Sequence, residues 1–246
     1  MVEQQIYCKV IKKKLLIIVP ARKNSSSIKD KNIKKVNGKP LIYYSLKSAK
    51  EINEKSSEII CSTDSKKIKK ISERYGVRTP FIRPKKISGK YSRDIEFVNF
   101  TLKKFCNSKI LFKYGLILRP TSPIRSKKIL NHAYNYFKKK NKLDSIRAVT
   151  IAPITPYKMW KMKKNILTPL IKLNLKEQHN MPRQKLPVVY WQTGNFEFFK
   201  INYKKKLKSI SGKIIAGFEI NKNYASDIDN YDDLRSAQIR LKKLNK

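Results

Sequence analysis

Residues 15–32 read LLIIVPARKNSSSIKDKN, and the first six of them decide the fold class. Residues 15–20 form an uninterrupted aliphatic run stopped by a proline. No polar residue alternates with the apolar ones, so both faces of this strand are expected to be covered, as in the centre of a mostly parallel sheet. The strand delivers the chain into a loop carrying Ala21, Arg22, Lys23 and three hydroxyls, Ser25, Ser26 and Ser27. Open α/β sheets bind ligands at the carboxyl ends of their strands. Loop N–H groups, hydroxyls and a guanidinium fork are the parts of a phosphate site, although the same composition also makes an ordinary polar surface loop. Neither GxxxxGK[ST] nor GxGxxG occurs, so this is not a Walker loop or a dinucleotide turn.

Outward from that strand, short β-branched runs alternate with segments of helical period. Strands are expected over 58–63, 114–118 and 145–151, and helices over 40–52, 65–75, 93–105 and 126–140. The strand over 114–118 runs into Arg119-Pro-Thr-Ser-Pro-Ile-Arg125. That stretch is either a proline-stiffened turn with Ser126 capping the next helix, or a rigid strand end aiming Arg119, Thr121 and Ser122 at a ligand. After Pro153 the alternation stops. Pro153, Pro156, Pro169, Pro182 and Pro187 cut 153–187 into short extended pieces, an expected insertion that either covers the site or pairs with a second subunit. Strands resume over 190–199 and 213–220, and an amphipathic helix over 231–244 closes a single domain of 246 residues.

A third site candidate is Asp227-Ile-Asp229. Carboxylates at i and i+2 of an extended stretch point to one side and can grip a divalent cation together. Acids are scarce here, 17 Asp and Glu against 58 Lys and Arg, for a formal charge of +41. Such a balance suggests a polyanionic partner. The lysine runs are nevertheless dispersed from Lys12–Lys14 to Lys242–Lys243, mostly at polar positions of helices or in turns, where lysine solvates a surface. Cys8, Cys61 and Cys106 are an odd set without paired spacing, read as reduced thiols. With two histidines and no CxxC or HxxxH, zinc is not expected. The apolar run at 15–19 is too short to span a bilayer, so a soluble cytoplasmic protein is expected.

Eight segments in order carry a resemblance: IVPARKNSSSIKDKN, NGKPLIYYSL (37–46), CSTDS (61–65), FIRP (81–84), LRPTSPIR (118–125), MPRQKLP (181–187), WQTGN (191–195) and SDIDNYDDL (226–234). Together they resemble the acylneuraminate cytidylyltransferases, the group of CMP-sialic acid and CMP-Kdo synthetases. The resemblance implies a three-layer α/β/α sandwich of the Rossmann-like nucleotide-diphospho-sugar transferase fold, with a mostly parallel, mixed sheet. It implies a homodimer that uses CTP, Mg²⁺ and an acidic 2-keto sugar. By that resemblance Ala21, Arg22, Ser25, Lys31 and Asn32 fall on the CTP loop, with Arg22 and Lys31 neutralising the triphosphate. Arg83 and Asp94 complete the nucleotide pocket, and Asp227 and Asp229 hold the metal. Lys158, Arg183 and Gln184 lie in the inserted segment, which in relatives helps to hold the anionic sugar, partly from the neighbouring subunit. Two departures stand out: Ser26 and Ser27 replace a Lys or Arg and a Gly, and Arg119 replaces a frequent Gln. The competing readings are a sugar nucleotidyltransferase with another base or acceptor, and a basic nucleic-acid-binding protein on a degenerate transferase fold. No RRM, KH or zinc-finger signature supports the latter.

Overall fold

The structure, a computed structural model, describes residues 10–25, 27–203 and 207–244. Cys8, Ser26 and Lys204–Lys206 lie outside the described residues. In chain order the strands are β1 (Ile11–Pro20), β2 (Lys35–Val36), β3 (Lys39–Pro40), β4 (Ser57–Ser62), β5 (Ile110–Ile117), β6 (Ser145–Ile151), β7 (Trp160–Lys163), β8 (Ile166–Pro169), β9 (Tyr190–Lys200) and β10 (Ile215–Glu219). The α-helices are α1 (Leu41–Lys50), α2 (Lys66–Arg74), α3 (Asp94–Asn107), α4 (Lys127–Lys139) and α5 (Tyr231–Leu244).

Six strands form one mixed sheet in the order β10-β6-β9-β5-β1-β4. β1 runs parallel to β4 and β5, β10 runs parallel to β6, and β9 is antiparallel to both β5 and β6. β1 lies one strand in from the β4 edge and not at the centre of the sheet, yet it is covered on both faces, as its sequence requires. Leu15, Ile17 and Val19 pack under α1, α2 and α4, while Leu16 and Ile18 pack under α3. All five are fully buried, a contribution of about 1.5–3 kcal/mol each. A third cluster joins α1 and α5 through Leu41, Leu234, Ala237 and Leu241, and takes in Ile28 and Ile228. The layers are α/β/α.

Two strands begin earlier than the sequence reading places them, β1 at Ile11 and β5 at Ile110, because Ile11–Lys13 pair in parallel with Ile110–Phe112. Backbone pairing carries β1 through lysines without an apolar signal, and carries β5 back through Ile110-Leu111-Phe112, an apolar run that Lys113 separates from 114–118. Ser65 and Ser126 accept N–H bonds from Ile68 and Ile129 and cap α2 and α4, each cap contributing about 1 kcal/mol.

The segment 153–187 contains a hairpin that its prolines hid. β7 and β8 pair antiparallel around Lys164-Asn165, both with positive φ (47° and 63°), the two-residue turn whose twist suits a hairpin. Gln178 is buried and organises the rest of this arm. Its amide donates to Tyr157 O (2.9 Å) and Ile171 O (2.7 Å), and its carbonyl accepts from Leu173 N (2.7 Å). Among the described residues no helix is long and apolar enough to cross a membrane.

Candidate active site

β1, β4, β5 and β6 all point their carboxyl ends to one edge of the sheet. The chain leaves β1 toward β4 on one side and leaves β5 toward β6 on the other, so a crevice opens between the loops that follow β1 and β5. A cavity of about 290 Å³ occupies it. Arg22, Asn32, Arg83, Asp94, Arg119 and Thr121 all line it, together with the loop Ser88–Lys90.

The loop after β1 is held from three directions. Asn32 Nδ2 donates to Arg22 O (2.9 Å), Arg22 Nη1 donates to Gly89 O (2.8 Å), and Lys23 N–H donates to Asp64 Oδ1 (2.7 Å). Asp64 and the loop around Gly89 were missed in the sequence. CSTDS is one segment of the resemblance, without a role for Asp64, and nothing in 88–92 announces a binding loop. Ser25 is half-buried and does not line the cavity, and Ala21 is buried in the core with Leu15, Ile17 and Val19.

Lys31 is the one buried lysine among the described residues. Its ammonium donates to Ile228 O at 2.6 Å and lies 3.3 Å from Asp229 Oδ1. Ile228 N–H in turn donates to Thr121 O (2.9 Å). The Asp227–Asp229 stretch is thereby pinned between the loops after β1 and β5, about 200 residues apart from the first of them in sequence. Burial raises the Asp227 carboxyl above the ordinary carboxylate range, and the charge of Asp229 adds to the rise. A hydrogen bond with Thr121 and the charges of Lys31 and Arg119 oppose it. Among the described residues no group of three or more His, Cys, Asp or Glu gathers.

Arg83 stands at the opposite wall. It is 6% exposed, its backbone N–H bonds Thr63 O (2.8 Å), and its guanidinium lies 5.2 Å from the Phe97 ring centroid. Burial lowers its pKa, partly offset by the charges of Asp64, Cys61 and Asp94. Its Nε–H is buried with no acceptor among the described residues. Arg119 pairs with Asp94 and with Glu197, and Arg147 pairs with Glu197 from the other side.

Not every expected residue reaches the cavity. Ser122 is fully buried and donates to Thr193 O (3.1 Å), so it holds the turn against β9 while Thr121 faces the crevice. Gly194 follows closely: its φ of +67° suits glycine, and a Cβ there would stand 3.0 Å from Ser122 Oγ. Arg125 frames the same turn, donating to Asn195 O (2.6 Å), Ser45 Oγ (2.9 Å) and Arg119 O (2.7 Å). Burial pulls its pKa down to about 9, and the charge of Arg119 adds to that. In the arm, Arg183 donates to Pro153 O (2.9 Å) and Ala152 O, tying the arm to the end of β6. It lines a second cavity with Trp191, Glu219 and Lys222 and does not reach the crevice. Lys158 and Gln184 lie on the arm's short 3₁₀ turns, away from the crevice lining, with Gln184 exposed.

A family model described as "Cytidylyltransferase" matches residues 16–164. A CMP-N,N'-diacetyllegionaminic acid synthase of Legionella pneumophila is 32% identical over 147 residues, 60% of this chain and 61% of that relative. A pseudaminic acid cytidylyltransferase of Campylobacter jejuni is 29% identical over 231 residues, 93% of this chain and 97% of the relative. Among solved structures, CMP:2-keto-3-deoxy-manno-octonic acid synthetase complexed with CTP superposes with a TM-score of 0.66 at 13% identity, over 94% of this chain and 99% of that one. That likeness bears on the fold.

Proposed function

The chain belongs to the cytidylyltransferase family, and from that premise we propose that it transfers CMP from CTP to an acidic 2-keto sugar of the nonulosonic class, releasing pyrophosphate. The observation that carries this reading is the junction at Lys31. A buried ammonium from the loop after β1 meets Asp229 and the Ile228 carbonyl. Lys31, Asp227 and Asp229 do not line the cavity of Arg22, Arg83 and Arg119, but the Ile228 N–H bond to Thr121 O (2.9 Å) ties their stretch to its wall.

In this reading Arg22 and Lys31 take the charge of the triphosphate, and Asn32 and Asp94 lie toward the nucleoside. Arg83 offers an unpaired N–H from a low-dielectric wall, where a hydrogen bond to an anion is stronger than in water. Asp227 and Asp229 would hold Mg²⁺, which supplies charge neutralisation for the triphosphate and the departing pyrophosphate. The acceptor's anomeric oxygen attacks the α-phosphorus in line, and catalysis is positioning and electrostatics without a protein nucleophile.

The acceptor side is left to Arg119, Thr121 and the arm. Met159, Trp160, Met162 and Leu170 are exposed on that arm, and Ile151, Tyr190 and Ile215 are exposed on strands of the sheet. Apolar surfaces of this kind call for cover, and a two-fold homodimer would cover them while bringing Lys158, Arg183 and Gln184 toward a neighbour's site. Free thiols at Cys61 and Cys106 suit a reducing cytoplasm.

The test is a pyrophosphate-release assay with Mg²⁺, each of the four nucleoside triphosphates, and neuraminic, legionaminic, pseudaminic and Kdo acids. CTP-dependent release with at least one acid is expected. Release that prefers another nucleotide, or that no acid stimulates, contradicts the reading.

A further inference from the structure

Glu197 is the single acidic residue in the apolar run Asn195–Phe199 of β9, and its side chain is only 2% exposed. Its neighbours Phe196 and Phe198 pack in the cluster under α4, so strand alternation turns Glu197 to the other face, the α3 side. Arg147, its registered partner on β6, faces the same way, between Ile146 and Ala148 of that same cluster. Glu197 bridges Arg147 and Arg119, Arg119 continues to Asp94, and Gln192 Nε2 also donates to Glu197 at 3.3 Å.

This row of alternating charge crosses the sheet from β6 through β9 to the loop after β5, and it opens at one end. Arg147 is 14% exposed and closed off by Ser211 (2.7 Å), whereas Arg119 is 26% and Asp94 37% exposed, at the lining of the crevice. Arg147, Glu197 and Arg119 together carry one net positive charge. Asp94 balances it at the open end, where Arg119 and Asp94 both line the cavity. The carbonyl of Thr121, two residues on from Arg119, accepts the Ile228 N–H (2.9 Å), which brings the Asp227–Asp229 stretch against this strand end. In a 2-keto sugar acid the carboxylate is borne on the carbon that carries the attacking hydroxyl. A carboxylate seated on Arg119 therefore sets that hydroxyl beside the Asp227–Asp229 pair.

We propose that Glu197 is a positioning residue: bridging Arg119 and Arg147, it holds the Arg119 guanidinium where the carboxylate of the sugar-acid acceptor is read. This rests on the function proposed above, and it assigns Arg119 a ligand group and Glu197 and Arg147 a role.

Glu197→Gln alone leaves two guanidinium groups facing each other in a largely buried place and endangers folding. The double variant Glu197→Gln/Arg147→Met removes one charge of each sign and leaves Arg119 with Asp94 alone. The measurement is the ratio of kcat/KM for a sugar acid to that for its methyl ester, with CTP KM as the control. Wild type should prefer the acid by about tenfold or more, and the double variant should bring the ratio near one with CTP KM within about twofold. A retained preference overturns the proposal, including the case in which both substrates weaken in parallel, which is what a merely structural role would give. If wild type turns over none of the acids, the proposed function falls, and calorimetry with N-acetylneuraminate in the presence of CTP decides this inference alone. Binding by wild type that the double variant loses would keep it; absence of binding to wild type overturns it.

Discussion

The crevice between β1 and β5 and the arm over 153–187 both carry arginine and lysine, but they are fixed in different ways. Around the crevice several polar groups are anchored on the chain's own backbone: Lys31 on Ile228 O, Asn32 on Arg22 O, Ile228 on Thr121 O, and Arg125 on the carbonyls of Arg119 and Asn195. In the arm the buried polar residues are Thr155 and Gln178, with the stacked pair Trp160 and His179 (ring centroids 3.5 Å apart), while Met159, Trp160, Met162 and Leu170 are exposed. The crevice is thus preorganised within one chain, as electrostatic catalysis requires. The exposed apolar side chains of the arm are the surface on which the proposed dimer would close. The nucleotide half of the site is expected to be complete in a monomer and the acceptor half to need a second subunit.

That contrast breaks most visibly at the carboxylate pair. Asp227→Asn/Asp229→Asn should lower turnover by about two to four orders of magnitude, since charge stabilisation at the departing pyrophosphate is lost, with unfolding temperature little changed. Wild-type turnover in this variant would remove the pair from the chemistry. Next in size, Arg22→Ala should lower kcat/KM for CTP by about 10- to 100-fold, with KM and kcat both affected, because the guanidinium touches phosphate in ground and transition states alike. Calorimetry finding unchanged CTP affinity would move the triphosphate away from the loop after β1.

The arm sharpens the comparison from the other side. Met162→Asp should yield monomers in light scattering at micromolar concentration and raise the acceptor KM several-fold, with CTP affinity intact. Mixing Arg183→Ala with Asp227→Asn subunits should recover activity in mixed dimers if the sites are shared; no recovery assigns both residues to one subunit's site.

The smallest effect tests the strain within the pair. Asp227 titrates above its unfolded value in the folded protein, so its ionisation costs stability as pH rises through the ordinary carboxylate range and beyond, and protonation at lower pH relieves that cost. In metal-free buffer at neutral pH, Asp227→Asn should therefore unfold at a higher temperature than wild type, and the gap should close toward acid pH. A lower melting temperature for the variant would contradict this direction.

How much of this could be read beforehand follows the same division. The double burial of β1 was legible because Leu15–Val19 carries no polar break, and Asp227 and Asp229 stood out as same-side acids in a basic chain. Ser122 was misread as a ligand group because a hydroxyl in a turn looks the same whether it faces out or, as here, toward Thr193 O. Glu197 and Arg147 gave a signal, charges inside apolar strands, but pairing across a sheet is a register property that sequence spacing does not encode. The β7–β8 hairpin was hidden because Lys164-Asn165 is a weak turn sequence beside the prolines that dominate the segment.

The central claim is that the loop after β1 and the Asp227–Asp229 pair form one metal–triphosphate site, and manganese binding followed by electron paramagnetic resonance tests it most directly. The account predicts that wild type takes up Mn²⁺ with CTP in a saturable, stoichiometric manner, and that Arg22→Ala and Asp227→Asn/Asp229→Asn each weaken that uptake by about tenfold or more. Equal uptake of Mn²⁺ and CTP by wild type and both variants would contradict it.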